Sequence, residues 1–216
     1  MSPTTAGPPP PSGFRALLER EAPRFDLSLP EAVLEALAKL LSELLNWGRR
    51  INLTGPLSAG ELVDHALESA FGQRLIVDGA RLLDIGSGAG LPGLPIAICR
   101  PDISVTLLEP RGKRVAFLRH ALRAVPVPNA AVLQERLEAV TDTYQAATVR
   151  AVGNLAETIG TAPFLDPGGA LLAWTTRPEN VARQLETGFS LERTEPIPGT
   201  RERVIALLRK RVPRGT

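Results

Sequence analysis

The stretch Leu82-Leu83-Asp84-Ile85-Gly86-Ser87-Gly88-Ala89-Gly90-Leu91-Pro92-Gly93 gathers residues suited to holding a ligand against backbone. A short apolar run ends in a Gly-x-Gly-x-Gly turn and enters a helical segment. Gly86, Gly88 and Gly90 let the chain bend tightly and let a ligand approach the backbone closely. Asp84 stands at the carboxyl end of the run, the edge where open α/β sheets bind ligands. A dinucleotide's diphosphate sits on a Gly-x-Gly-x-x-Gly turn at a helix N-terminus. Here the third glycine comes one residue early, and the Asp84 carboxylate would repel a phosphate. A cationic ligand without phosphate suits this turn better.

Glu109 closes the next apolar run, Val105-Thr106-Leu107-Leu108-Glu109, about 20 residues past the turn, where a ribose-binding acid belongs. Its carboxylate can accept from both ribose hydroxyls, with a solvated strand-end carboxylate as the alternative. With a sulfonium and an adenosine ribose, S-adenosylmethionine satisfies both acids, and it is the cofactor these residues predict. Leu137 and Glu138 follow a third strand, beside the place an adenine would occupy; the first turn of a helix accounts for them equally well. Arg150 ends a fourth strand at the same sheet edge, which makes it the candidate catalytic residue and a further cofactor-binding candidate, with a structural ion pair as the alternative.

The elements that must carry these residues alternate. Strands are predicted at Leu82 to Ile85, Val105 to Glu109, Ala131 to Leu133, Ala146 to Ala151 and Ala170 to Trp174, the last after an Asp166-Pro167-Gly168-Gly169 turn. Helices are predicted near Leu94 to Cys99, over Lys113 to Ala124 and over Leu155 to Pro163. This pattern implies a parallel sheet with helices on both faces. Two late strands, Leu191 to Ile197 and Arg203 to Leu208, have no helix between them and are expected to pair antiparallel at an edge. The fold class is therefore α/β, a Rossmann-like seven-stranded, mostly parallel sheet of the class I methyltransferase kind.

Ahead of it, Val33, Leu34, Leu37, Leu40, Leu41, Leu44 and Leu45 recur at helical spacing over residues 30 to 48. Shorter helices are expected at Phe14 to Glu21 and Ala59 to Phe71. The division expected is a Pro-rich, disordered lead-in over 1–13, a helical cap over 14–78 and a methyltransferase domain over 79–211, cap and domain forming one structural unit.

Composition narrows the chemistry. The 216 residues carry 25 Lys+Arg against 23 Asp+Glu, so net charge names no nucleic-acid partner, and aromatics are only 4%, too few for a stacking platform. Local clusters remain: Arg111, Lys113, Arg114, Arg119, His120 and Arg123; Arg201, Arg203, Arg209, Lys210, Arg211 and Arg214; and Arg49 with Arg50. These suit phosphate contacts, or a solvated face. Two histidines and the single cysteine, Cys99, predict no metal site. No apolar run is long enough for a membrane span, and a cytoplasmic monomer is expected. No Asn/Asp-Pro-Pro-aromatic stretch marks the fourth strand, which disfavours exocyclic amine methylation. Cys99 falls in the helix after the turn, which disfavours cysteine-dependent C5 chemistry. Acceptors with a free lone pair, such as a ring nitrogen, are left.

These residues resemble the 16S (small-subunit) ribosomal RNA guanine-N7 methyltransferase family, also called glucose-inhibited division protein B. The resemblance runs from about Leu44 to Lys210. It is carried by Asp84 to Pro95 with Arg100-Pro101-Asp102, by Leu107-Leu108-Glu109 with Gly112 to Arg119, by Asp64 to Ser69, by Arg136-Leu137-Glu138 and Val149-Arg150-Ala151, and by Pro198 to Ile205. It implies that Gly86 and Leu91 hold the methionine moiety, Glu109 the ribose, Leu137 and Glu138 the adenine side, and Arg150 the reacting edge. It also implies small-subunit rRNA, free or in an assembling subunit, as the partner. The sequence departs from the family pattern at Val149, where Ser is usual, and at Trp174-Thr175-Thr176-Arg177, where Lys-Gly is usual. A methyltransferase acting on a small molecule or protein, and a non-catalytic RNA-binding or assembly module, are the alternatives.

Overall fold

The computed structural model describes residues 11–48, 53, 55, 57–151, 153–160 and 162–212. The chain opens with α1 (Pro11–Glu21), a 3-10 turn at Ala22–Phe25, α2 (Glu31–Gly48) and α3 (Ala59–Gly72). Then follow β1 (Arg81–Ile85), α4 (Gly93–Cys99), β2 (Ser104–Leu108), α5 (Gly112–Ala124) and β3 (Ala130–Leu133). A 3-10 turn at Leu137–Ala139 leads to β4 (Tyr144–Arg150), α6 (Leu155–Ile159), β5 (Leu165–Thr175), α7 (Pro178–Gln184), β6 (Phe189–Pro196) and β7 (Val204–Lys210).

The seven strands lie in the order β3-β2-β1-β4-β5-β7-β6. β3 through β5 run parallel, and β7 pairs antiparallel with both β5 and β6. The chain winds outward from β1 through β2 to β3, then returns to place β4 on the other flank of β1. That reversal opens a crevice at the carboxyl ends of β1, β2 and β4, where ligands bind in such sheets.

Consecutive strand residues point to opposite faces. Leu82, Leu107, Ala146, Leu172 and Leu207 join the core under α1 to α5, while Leu83, Leu108, Ala147, Leu171 and Leu208 join the core under α6 and α7. Burial on both faces is why the strands read as continuous apolar runs. α3 begins on a capping box: Ser58 Oγ accepts from the Glu61 N–H at 3.2 Å, and Glu61 Oε2 accepts from the Ser58 N–H at 2.8 Å. Trp47 of α2 sets its ring edge-on to Phe117 of α5 at 5.8 Å.

The structure departs from the expected elements in four places. α1 starts at Pro11 rather than Phe14, so Pro11 sits at a helix start, where its missing N–H costs nothing; the rest of the expected lead-in lies outside the described residues. α6 stops at Ile159, short of Pro163, because Gly160 takes a φ of 51°. β5 starts at Leu165 and carries the Asp166 to Gly169 turn inside it as a bulge, the pairing jumping from Tyr144–Leu165 to Ala146–Ala170. α7 was not anticipated; its Pro178 fills a first-turn position, but only Val181 is buried, too narrow an apolar face to show a period.

Candidate functional site

β1 ends against the turn that follows it because three glycines there hold left-handed φ values: 69° at Gly86, 52° at Gly88 and 81° at Gly90. A side chain at Gly90 would drive into Leu94. The turn sits under a cavity of about 930 Å³ at the crevice mouth, within the range of small-ligand sites. Gly86, Gly88, Leu91, Glu109, Leu137, Glu138 and Arg150 all line it. Asp84 and Gly90 do not; they lie behind the turn.

Asp84 is 1% exposed. Its Oδ1 accepts from Thr148 Oγ1 at 2.8 Å and its Oδ2 from the Gly93 N–H at 3.3 Å, so it ties the start of α4 to β4. Ser87 Oγ donates to the Asp84 carbonyl at 2.9 Å. Burial pushes the Asp84 carboxyl up to about 6, against these hydrogen bonds.

Glu109 is 2% exposed yet borders the cavity. Its Oε2 accepts from the Gly88 N–H at 3.0 Å and its Oε1 from the Arg111 N–H at 2.9 Å, and the Arg114 guanidinium stands 3.7 Å away. A carboxylate has about four acceptor positions, so capacity remains for a ligand. The Gly88 N–H, which a phosphate would need, already donates to this carboxylate. With that N–H taken and a carboxylate beside it, the turn suits a diphosphate poorly, which fits S-adenosylmethionine better than a dinucleotide.

Arg150 ends β4 on the far side of β1. Its Nη2 donates to Glu68 Oε2 at 2.7 Å and its Nη1 to the His65 carbonyl at 3.3 Å. Ala151, next in the chain, also lines the cavity and holds a φ of 53°, a strained value for alanine of the sort that gathers at functional sites. His65 borders the cavity too, and burial, with the Arg150 and Arg203 charges, lowers its imidazole to about 4. Sequence reasoning missed His65 and Glu68 as members of the site. The available signal was the resemblance over Asp64 to Ser69, which holds both residues but gives neither a role.

The basic clusters divide. Arg111 and Arg114 line the cavity; Lys113, Arg119, Arg123 and Arg201 are exposed. His120 instead meets Glu43 at 2.7 Å and Trp47 at 5.2 Å in the α2–α5 seam, Arg209 pairs with Glu192 and Arg203 with Glu68. Arg49, Arg50 and Arg214 lie outside the described residues. Cys99 is half-buried, its thiol pushed up to about 12 by burial. Among the described residues no group of three or more metal-ligating side chains forms, and no helix is long and apolar enough to cross a membrane.

A Rossmann-like sheet with an antiparallel β7, a glycine turn after β1 and an acid at the tip of β2 defines the S-adenosylmethionine-dependent methyltransferases. Solved structures share the fold. A precorrin-6y C5,15-methyltransferase from Geobacter metallireducens matches with a TM-score of 0.53 at 15% identity, covering 73% of this chain and 92% of its own. A ribosomal protein L11 methylase from Lactobacillus delbrueckii subsp. bulgaricus matches at 0.58 with 12% identity, over 69% and 80%. The sequence pattern of the family described as rRNA small subunit methyltransferase G matches residues 33–197. A ribosomal RNA small subunit methyltransferase G from Xanthomonas axonopodis pv. citri is 38% identical over 191 residues, 85% of this chain and 90% of that protein. Its namesake from Halorhodospira halophila is 41% identical over 162 residues, 74% and 77%. The chain belongs to the rRNA small subunit methyltransferase G family, and S-adenosylmethionine is its cofactor.

Proposed function

We propose that the protein methylates N7 of a guanine in small-subunit ribosomal RNA. The observation that carries the chemistry is Glu109: a buried carboxylate at the tip of β2, bordering the cavity, with acceptor capacity left. The name borne by its relatives supports rRNA as the substrate.

The cofactor, when bound, supplies an electrophilic methyl group on a cationic sulfur. Glu109 holds the ribose hydroxyls; Gly86, Gly88 and Leu91 give the methionine part a close backbone wall; Leu137 and Glu138 bound the adenine side. Asp84 and Gly90 act indirectly, by fixing the shape of the turn. His65, with its imidazole lowered to about 4, stays neutral and adds no repulsion to a cationic ligand. Guanine N7 carries a lone pair in the ring plane and no proton. The acceptor therefore needs no general base, only alignment for in-line attack and exclusion of water. Arg150 cannot serve as a base, since a guanidinium stays protonated; it orients cofactor or acceptor at the reacting edge.

The helical cap and the basic segments hold the RNA, with the exposed Lys113, Arg119, Arg123 and Arg201 supplying point charges for its phosphates. In this reading, cap (14–78) and methyltransferase domain (79–211) work as one unit, in a cytoplasmic monomer. The test is mass mapping of small-subunit rRNA from cells with and without the gene. Loss of one 7-methylguanine, restored by re-expression, is expected; an unchanged modification map overturns the reading.

A further inference from the structure

One buried charge is not explained by cofactor binding. Glu68 sits in the middle of α3 at 0% exposure, flanked by the buried Leu67, Ala66 and Phe71. A carboxylate there is costly unless paired, and an apolar residue would serve the packing as well or better. Each of its oxygens is taken by a different guanidinium: Oε2 accepts from Arg150 at 2.7 Å and Oε1 accepts from Arg203 in a short contact. The helix backbone finishes the arrangement. The His65 carbonyl, three residues earlier in α3, accepts from the other arm of Arg150 at 3.3 Å, and the Glu68 carbonyl accepts from Trp174 Nε1 at 3.1 Å. Arg150 is thus gripped at both terminal nitrogens by one helix, while that helix is pinned to β5 by the indole. The two arginines differ in setting: the side chain of Arg150 is 15% exposed at the cavity wall, that of Arg203 45% exposed outside it.

We propose that Glu68 is the positioning residue of the methyl-transfer site: its buried carboxylate, shared between Arg150 and Arg203, fixes the Arg150 guanidinium so that its remaining N–H donors face the cavity. Arg203 partly balances the carboxylate's charge without itself lining the cavity. Trp174, at a position where the sequence leaves the family pattern, joins the same support by holding α3 in register. The inference rests on the methyl-transfer reading with Arg150 at the reacting edge.

The test compares wild type, E68Q, the charge-balanced E68Q/R203M, R150M and E68Q/R150M. Methyl transfer is measured on small-subunit RNA from cells lacking the gene, and affinity for the demethylated cofactor product by calorimetry. E68Q and E68Q/R203M are expected to lose on the order of 10²-fold in kcat/KM, the size of loss that accompanies misplacement by about 1 Å. Adding E68Q to R150M is expected to cost less than about 3-fold more, because residues acting through one another are not additive. Independently of turnover, the Arg150 side-chain nitrogen signal in NMR, assigned by its absence from R150M, is expected to be sharp in wild type and broadened in E68Q. Wild-type kcat/KM in folded E68Q, an additive loss in E68Q/R150M, or an unchanged Arg150 signal each overturns the proposal. So does failure of both E68Q and E68Q/R203M to fold, which makes Glu68 structural. A wild type that binds cofactor and transfers no methyl defeats the functional reading instead, and the NMR arm still decides how Arg150 is held.

Discussion

Asp84 and Glu109 stand at the tips of adjacent parallel strands, are almost equally buried, and each accept a hydrogen bond from the glycine-rich segment after β1. They nevertheless face different surroundings. Asp84 turns away from the cavity and spends both oxygens on Thr148 and Gly93. Glu109 borders the cavity and accepts one backbone N–H on each oxygen, from Gly88 and Arg111. Two acids with the same burial and the same strand-end address are told apart by what their unused lone pairs face. Each carboxylate has one partner on each oxygen; the one set back from the cavity can only brace the turn, whereas the one bordering it has lone pairs within reach of a ligand.

The comparison breaks most visibly at Glu109. Glu109→Gln removes the charge from two prospective hydrogen bonds to ribose; charge-assisted bonds of this kind are worth about 1.5–3 kcal/mol each. Calorimetric affinity for S-adenosylmethionine should fall by at least ~10²-fold, and the unfolding free energy by about 1–3 kcal/mol, because the amide can accept from only one of the Gly88 and Arg111 N–H groups. Near-wild-type affinity would assign Glu109 to the scaffold. Asp84→Asn should act on stability alone, leaving affinity within a few-fold, since Asp84 does not line the cavity. The Asp84 carboxyl is raised in the fold to about 6 from 3.8, so the native state keeps a proton that the unfolded chain releases. Its contribution to stability is fully present below about pH 4 and is lost as pH rises through about 6, a difference on the order of 3 kcal/mol. The gap in unfolding free energy between Asp84→Asn and wild type should thus widen in favour of the variant between pH 4 and 7. His65, lowered from 6.5 to about 4, works in the opposite sense over nearly the same range, which is why the variant-minus-wild-type difference is the quantity to follow. A pH-independent difference would mean that Asp84 is not the group that titrates.

The difference between the two acids was not legible in the sequence. Residue type and spacing placed both at the ligand edge, because strand ends, glycine turns and periodic apolar runs are local signals. The sheet, the glycine turn and the address of Glu109 follow from them. What a side chain faces is set by partners far along the chain: Thr148 lies 64 residues from Asp84, and Glu68 lies 82 from Arg150. No local pattern encodes such pairs. The same holds at β5, where the Asp166 to Gly169 turn is absorbed as a bulge because β4 continues beside it. It holds also at Trp174, whose indole has a partner only because α3 crosses that strand end. Arg150 illustrates both sides. Its strand-end position pointed to function, an ion pair was the alternative, and the structure gives it both a cavity wall and a carboxylate.

A smaller change sharpens the comparison from the side of the turn. A Cβ on Gly93 would lie 2.6 Å from Asp84 Oδ2 and against Leu107, so Gly93→Ala should overpack the Asp84 brace and cost about 1–3 kcal/mol. Since Glu109 is untouched, the unfolding midpoint should drop with no more than a few-fold loss of cofactor affinity at a temperature where the variant stays folded. Smallest of all is Glu138→Ala. This carboxylate borders the cavity but is exposed, and exposed charges are well hydrated and screened by salt. Affinity for S-adenosylmethionine should fall by less than about 5-fold, and the loss should shrink between low salt and 0.5 M salt. The effect of Glu109→Gln, a buried acid, should persist across the same range. Equal salt dependence at the two positions would erase the distinction between a carboxylate that is held by the fold and one that is merely near the ligand.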